Sequence, residues 1–362
     1  YEKNIMKKNR FCFLIHLPQD LDLLVPIIEK TKKSGNPVIC LVYKNVLHKS
    51  PRLTHYLNTT KTPWKTIGSH RQDLLLALWY ILRSSIIISA VETSEPPHRF
   101  AYILTRIANF FGKATITMQH GLENIGLTYS DASYPIDKVR FASKKILLWG
   151  DISELHPNVT LETKRKCLPF GCTKQFLASP PLPKPAPYVV GVFENLHWSR
   201  YNDHFRQQFI SDFIHAAESL PEITFFIKPH HEGRWLTERS KQSLTLPQNI
   251  FIIDPKNPKW EPYTGPSIVA LSDLVITTPS TIALDAAIQN IPTCVVGYDL
   301  DAQRYSPLPI IKNSTDWRDY ILAARQHTYD YSSSNRHFVS KTLYRQNCLE
   351  HQIGRASCRE RV

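Results

Sequence analysis

Short apolar runs alternate with amphipathic stretches along most of the chain. An apolar run bounded by turn residues reads as a buried strand, and apolar positions at i, i+3, i+4 spacing read as a helix. In the first half, residues 11–16 (FCFLIH) predict a strand, 20–33 a helix that stops at Gly35, and 37–43 (PVICLVY) a second strand. A helix over 72–83 leads into the strand 86–90. Another over 99–111 ends at Gly112, before the strand 114–119 (ATITMQ), and 145–150 (KILLWG) closes this half. Gly35 and Gly112 stand where a helix C-cap favours glycine. Residues 179–187 hold five prolines, which suit neither a helix nor a sheet ladder, and predict a linker. The alternation then restarts: strand 188–193, helix 203–219, and strands 223–229, 249–254, 274–277 and 293–298.

This order predicts an α/β protein of two doubly wound parallel-sheet (Rossmann-like) domains facing each other across a cleft, with ligands at the carboxyl ends of the strands. The expected bounds are 6–178 for the first domain, 179–187 for the linker, 188–330 for the second domain and 331–352 for a truncated C-terminal segment. Residues 353–362 (IGRASCRERV) back-translate to a common sequencing adapter and are read as an artefact outside the fold. Met6 is the expected natural start.

Composition narrows the function. The 362 residues carry 44 Lys plus Arg against 31 Asp plus Glu, a net charge of +13, or +11 once residues 353–362 are set aside. A phosphorylated substrate or an anionic inner-membrane surface accounts for such an excess. No arginine-rich tail or aromatic RNA-binding signature accompanies it, so nucleic acid is not expected as a partner. The seven cysteines include no CxxC pair, so neither zinc nor a disulfide framework is indicated. No apolar run approaches the ~18 residues of a membrane span. The expectation is a cytoplasmic protein, held peripherally at the inner membrane by charge.

Polar residues gather just after the predicted strands. His120 and Gly121 follow one strand, with Glu123 three residues on; Glu95 follows another. A histidine titrates in the right range for general base chemistry, so His120 leads the catalytic candidates, with Glu123 and Glu95 beside it. In the second half Glu194, the pair Lys228 and His230 (with His231), and the loop of Thr278, Ser280 and Thr281 each follow a strand. Pro279 and the hydroxyls suit a helix start, which offers free amides and positive potential to an anion. Asp285 lies one turn into that helix. An ordinary capped turn has the same composition, and adjacent His230 and His231 do not match usual metal-ligand spacing. No GxGxxG, GKS/T or nucleophile elbow is present, which removes the usual supports for kinase, nicotinamide and serine-hydrolase readings.

The QHG loop at 119–121, the KPH loop at 228–230 and DLVITTPSTIALDAA at 273–287 resemble GT-B-fold glycosyltransferases of bacterial surface polysaccharides. They are especially similar to the capsule polysaccharide and CDP-glycerol glycerophosphotransferase-like group. The resemblance implies that His120 serves the acceptor side and the chemistry. It implies that Lys228, His230, Thr278, Ser280 and Thr281 hold the donor phosphates. The glycerophosphotransferases carry a DYSS-like loop where this chain has TTPST, which favours a nucleotide-sugar donor over CDP-glycerol. Non-hydrolysing sugar-nucleotide epimerases share the fold, but their glycine-rich donor loop is absent. The implied activity is sugar transfer from a nucleotide-sugar to a surface-polysaccharide or lipid-linked glycan acceptor in cell-envelope biogenesis, with no metal and no cofactor. The alternatives are a CDP-glycerol-type glycerophosphotransferase and a catalytically inactive GT-B partner that binds glycan or protein. In such chains a last helix returns to the first domain, and 340–352 is read as its beginning.

Overall fold

The computed structural model describes residues 9–344 except 69, 132, 175–183, 185, 231–232, 234, 240–244, 255–256, 258 and 261–262. The expected linker falls mostly outside this set; His231 and the expected artefact fall outside it altogether.

The chain divides into two compact units. The first begins β1 (Phe11–Ile15), α1 (Asp20–Lys33), β2 (Val38–Tyr43), α2 (Lys44–Lys49), α3 (Pro51–Thr59) and β3 (Trp64–Ile67). It continues with α4 (Arg71–Leu82), β4 (Ile86–Ser89), α5 (Arg99–Phe110), β5 (Ala114–Met118), β6 (Lys145–Leu148), α6 (Leu161–Lys166) and β7 (Cys167–Pro169). The second begins β8 (Val189–Glu194), α7 (Asp203–Ser219), β9 (Thr224–Pro229), β10 (Ile250–Ile252) and α8 (Gly265–Leu271). It ends with β11 (Leu274–Thr277), α9 (Ile282–Ile288), β12 (Thr293–Val296), β13 (Ile310–Ile311), α10 (Ser314–Gln326) and α11 (Tyr331–Thr342).

Both sheets are parallel and doubly wound. The first has the order β3-β2-β1-β4-β5-β6-β7, and the second β10-β9-β8-β11-β12-β13. The winding reverses between β1 and β4 in one unit and between β8 and β11 in the other, which makes the carboxyl ends of these strands the natural ligand positions. Their composition explains their place. β2, β8, β11 and β12 are buried almost throughout, as strands covered on both faces must be. β3, β7 and β13, absent from the sequence expectation, are short and lie at or near sheet edges, with half-exposed residues that break the apolar signal. Gly35 and Gly112 both take φ of 71°, as left-handed helix ends require.

In the second unit, α7 lays Phe205, Phe209 and Phe213 onto the sheet at one-turn intervals. The last two meet Trp317 of α10 at ring-centroid distances of 5.5 and 6.0 Å. Each such aromatic contributes about 1.5–3 kcal/mol by leaving water. The Asn202 side chain caps α7 by accepting from the Phe205 amide at 2.8 Å.

Residues 342–344 belong to the first unit again. The Tyr344 amide donates to the carbonyl of buried Trp149 at 2.7 Å. A Cβ on Gly150 would stand 2.7 Å from the Thr342 carbonyl oxygen, so only glycine lets the returning chain lie this close. Among the described residues, no helix is long and apolar enough to cross a membrane. The described cysteines, Cys12, Cys40, Cys167, Cys172 and Cys294, are buried free thiols.

Candidate active site

At the winding reversal of the first unit, three histidines converge. His16 is the residue after β1, His98 closes a short turn after β4, and His120 is the second residue after β5. His16 Nε2 and His98 Nδ1 are hydrogen-bonded at 3.2 Å, and the centroids of the His98 and His120 rings lie 5.8 Å apart. Asp20, the first residue of α1, accepts from the amides of His16 and Leu17, both at 2.9 Å, and its Oδ2 lies 3.2 Å from His16 Nδ1.

Side chains of the same loop hold His120 in place. Its amide donates to Asn124 Oδ1 at 2.9 Å. Gln119 spans the turn, donating to the Gly121 carbonyl at 2.9 Å and accepting from the Trp149 amide at 3.0 Å. His120 is half-buried, while its Nδ1 is buried with no hydrogen-bond partner among the described residues.

Burial dominates the electrostatics. It pushes His120 down to about 4, with His16 and Lys174 adding to the fall and the Asn124 amide opposing it. It pushes His98 down to about 2, helped by His120 and His16, and His16 to about 4. The same desolvation raises Asp20 to about 7. All three imidazoles are therefore neutral at pH 7, so His120 can accept a proton there.

These shifts set a stability prediction. The depressed histidines stabilise the fold above their unfolded value near 6.5, and that contribution is lost as pH falls toward their folded values. The raised carboxyls of Asp20, Glu92 and Glu194, each near 7, act oppositely: their contribution is present at low pH and lost as pH rises through 7. Between pH 4.5 and 6.5 the two sets offset, so removing one histidine should tilt the profile. His98→Gln should gain stability relative to the wild type by about 1.4 kcal/mol per pH unit below 6.5. Urea unfolding at pH 6.5 and 5 measures it; parallel profiles would refute the shift.

The other two catalytic candidates flank this cluster in sequence. Glu95 is half-buried, and its carbonyl accepts from the His98 amide at 3.0 Å, so its backbone starts the turn that carries His98. Glu123 is half-buried next to Asn124.

In the second unit, the loops after β8, β9 and β11 assemble at the reversal. Lys228 is half-buried near the end of β9, paired in register with Phe193. Burial lowers it to about 8, while Asp254 pulls it up. The His230 amide donates to the Glu194 carbonyl at 2.9 Å, and its ring lies 4.7 Å from that of His197. Glu194 is buried; its carboxylate accepts from the Leu196 amide at 2.7 Å, and burial raises it to about 7. That carboxylate braces the loop after β8.

The hydroxyl loop has divided duties. Thr278 is fully buried and cross-braces two strands: its hydroxyl donates to Asn195 Oδ1 at 2.7 Å and accepts from the Asn195 amide at 3.1 Å. Asn195 in turn bonds the Pro279 carbonyl at 3.0 Å. Ser280 and Thr281 are half-buried at the mouth of α9. Ser280 Oγ accepts from the Ile282 amide at 3.2 Å and lies 3.0 Å from Thr277 Oγ1, so Ser280, one residue ahead of the N-cap Thr281, caps the first amide of this helix. Asp285 is buried one turn in. Among the described residues, no group of three or more His, Cys, Asp or Glu is arranged to hold a metal ion.

Sequence reasoning overlooked His16, Asp20, His98, Asn195 and His197. His16 and Asn195 sit directly after β1 and β8, and His197 two residues further on, where the strand-end rule could have found them. His98 is separated from β4 by a proline-containing turn, and only the fold brings it to His16.

No protein-family model and no curated protein sequence matches the chain. Solved structures do. Anabaena Alr3699/HepE in complex with UDP-glucose is 11% identical with a TM-score of 0.61, over 97% of this chain and 100% of that one. UDP-GlcNAc 2-epimerase from Neisseria meningitidis bound to UDP-GlcNAc is 10% identical with a TM-score of 0.56, over 90% and 94%. The spinosyn forosaminyltransferase SpnP is 10% identical with a TM-score of 0.55, over 97% and 100%. In fold, the chain is a pair of parallel-sheet, Rossmann-like domains of the GT-B type.

Proposed function

We propose that this protein transfers a sugar from a nucleotide-sugar donor to a surface-polysaccharide or lipid-linked glycan acceptor. The supporting observation is the placement of Lys228, at the end of β9, and the Ser280–Thr281 hydroxyls, on the loop after β11, on either side of β8 in one sheet. A cation and two hydroxyl groups at a winding reversal suit a diphosphate. HepE and the Neisseria epimerase, which share the fold, were solved with UDP-sugars.

In this reading the first unit serves the acceptor. The neutral His120 imidazole takes the proton of the attacking hydroxyl as its oxygen bonds to the anomeric carbon. The bond from that carbon to the phosphate oxygen breaks, and its electron pair leaves with the nucleoside diphosphate. Lys228 meets the charge that develops there. His230 and Glu194 hold the adjoining loop. In its finer form the reading is a capsule polysaccharide transferase, acting at the cytoplasmic face of the inner membrane on a metal-independent route.

Thermal shift against UDP, CDP, CMP and GDP identifies the donor nucleotide. The double variant Ser280→Ala, Thr281→Ala should lose about 1–3 kcal/mol of nucleotide binding and about 1 kcal/mol of stability from the lost cap. Unchanged affinity by calorimetry would leave the loop a helix cap. The epimerases give a second reading, which incubation with UDP-GlcNAc and no acceptor distinguishes: an epimerised nucleotide-sugar would replace transfer.

A further inference from the structure

Helix α4 is apolar on most of its surface, yet only Ala77 and Ile81 of it are fully buried. A helix apolar all round is normally enclosed. Here Leu75, Trp79 and Leu82, at i, i+4, i+7 spacing, remain exposed. On neighbouring α5 and its end, Ile103, Phe110 and Phe111 do the same, and Phe110 is 84% exposed. Both helices send their inner residues, among them Ile81 and Leu104, into one core cluster, so they cover the same side of the sheet. Lys113 Nζ donates to the Leu82 carbonyl at 2.5 Å and ties their C-terminal ends together. Six of the eleven large apolar side chains exposed among the described residues lie on this pair. That concentration marks an interaction surface rather than ordinary scatter.

The charge around the patch has one sign. Arg71 and Arg83 bracket α4, Arg99 and Arg106 are exposed on α5, and Lys113 follows it. The one acid on either helix, Asp73, is paired with Lys44 at 2.8 Å. The Arg83 guanidinium sits 4.4 Å over the Trp79 ring. Beside the patch, a pocket of about 410 Å³ is walled by Arg10, Lys65, Trp64 and Tyr80, and Tyr80 packs edge-on against Trp79 at 4.6 Å. Tryptophan, phenylalanine and leucine ringed by cations suit the boundary between lipid phosphates and acyl chains. A second copy of this face would meet like charge.

We propose that the α4–α5 face docks the chain on an anionic lipid bilayer. Trp79, Leu82, Phe110 and Phe111 enter the acyl boundary, and the arginines with Lys113 meet the lipid phosphates. This deepens the reading of a lipid-linked acceptor by naming the docking surface. Lipid binding is measured without donor or acceptor, so its failure leaves sugar transfer standing.

The test sediments the full chain with vesicles of phosphatidylcholine alone and with vesicles that also contain phosphatidylglycerol. Binding is expected to the anionic vesicles only. Phe110→Ser with Phe111→Ser, and separately Arg83→Gln with Arg106→Gln, should each weaken it about tenfold or more, with melting temperature unchanged. If the serine pair fails to fold, Leu75→Ser with Trp79→Ser serves in its place. Wild-type protein that ignores anionic vesicles, or a folded serine variant that binds them as well as wild type, overturns the proposal. So does a wild-type dimer, dispersed by the serine pair, that binds no vesicles.

Discussion

Replacing His120 with Ala is expected to reduce turnover by about a hundredfold or more while donor affinity stays within about twofold. The expectation rests on His120 being neutral at pH 7, held by Asn124 through its amide and carrying a buried Nδ1 with no partner among the described residues. A base must be unprotonated to act. With its value near 4, the acid limb of the wild-type rate profile should fall near pH 4 rather than near 6.5. Rates from pH 3.5 to 8 test this, with nucleotide affinity measured beside them. An equal loss of affinity and turnover would move His120 to the donor site, and an acid limb near 6.5 would mean that the ring is solvated.

Lys228→Met is expected to cost about 1.5–3 kcal/mol of nucleotide diphosphate binding, roughly ten- to a hundredfold in affinity. The wild-type lysine titrates near 8 in the free protein, so affinity should fall as pH rises above 8 and the ammonium is lost. A bound diphosphate favours the charged form, so binding then takes up a proton. Lys228→Arg keeps its charge at pH 9 and should flatten that fall, while Lys228→Met should be weak at every pH. Calorimetry at pH 7 and 9 separates the three proteins. If wild type binds equally at both, Lys228 does not face the diphosphate.

The fold was legible because its central strands are apolar on both sides and two of its helices, α1 and α5, end at glycine. Strands 11–15, 38–43, 189–194 and 274–277 stand out from their neighbours for that reason. Edge strands such as Trp64–Ile67 do not, because water replaces part of their apolar contact. The site was legible only where a polar residue directly follows a strand. His120, two residues after β5, and Lys228, the last residue but one of β9, come close to that rule. His98 does not, since its proximity to His16 depends on parallel pairing of β1 with β4, 82 residues apart in the bond it makes. Thr278 shows the reverse limit. Its position suits a phosphate, while its hydroxyl is already spent on Asn195, and no spacing in the chain reveals which hydroxyl is spent.

The return of the chain at Thr342 also bears on the order of synthesis. Domains generally fold as units while the ribosome adds residues from the N-terminus. The first unit can form its seven strands once residue 169 has emerged. The carbonyl of Trp149 meets its backbone partner only when Tyr344 arrives, after the entire second sheet has been made. The first unit is therefore closed last, by residues made after the whole second unit, and a stop codon placed ahead of Tyr344 would leave the older half of the protein unfinished.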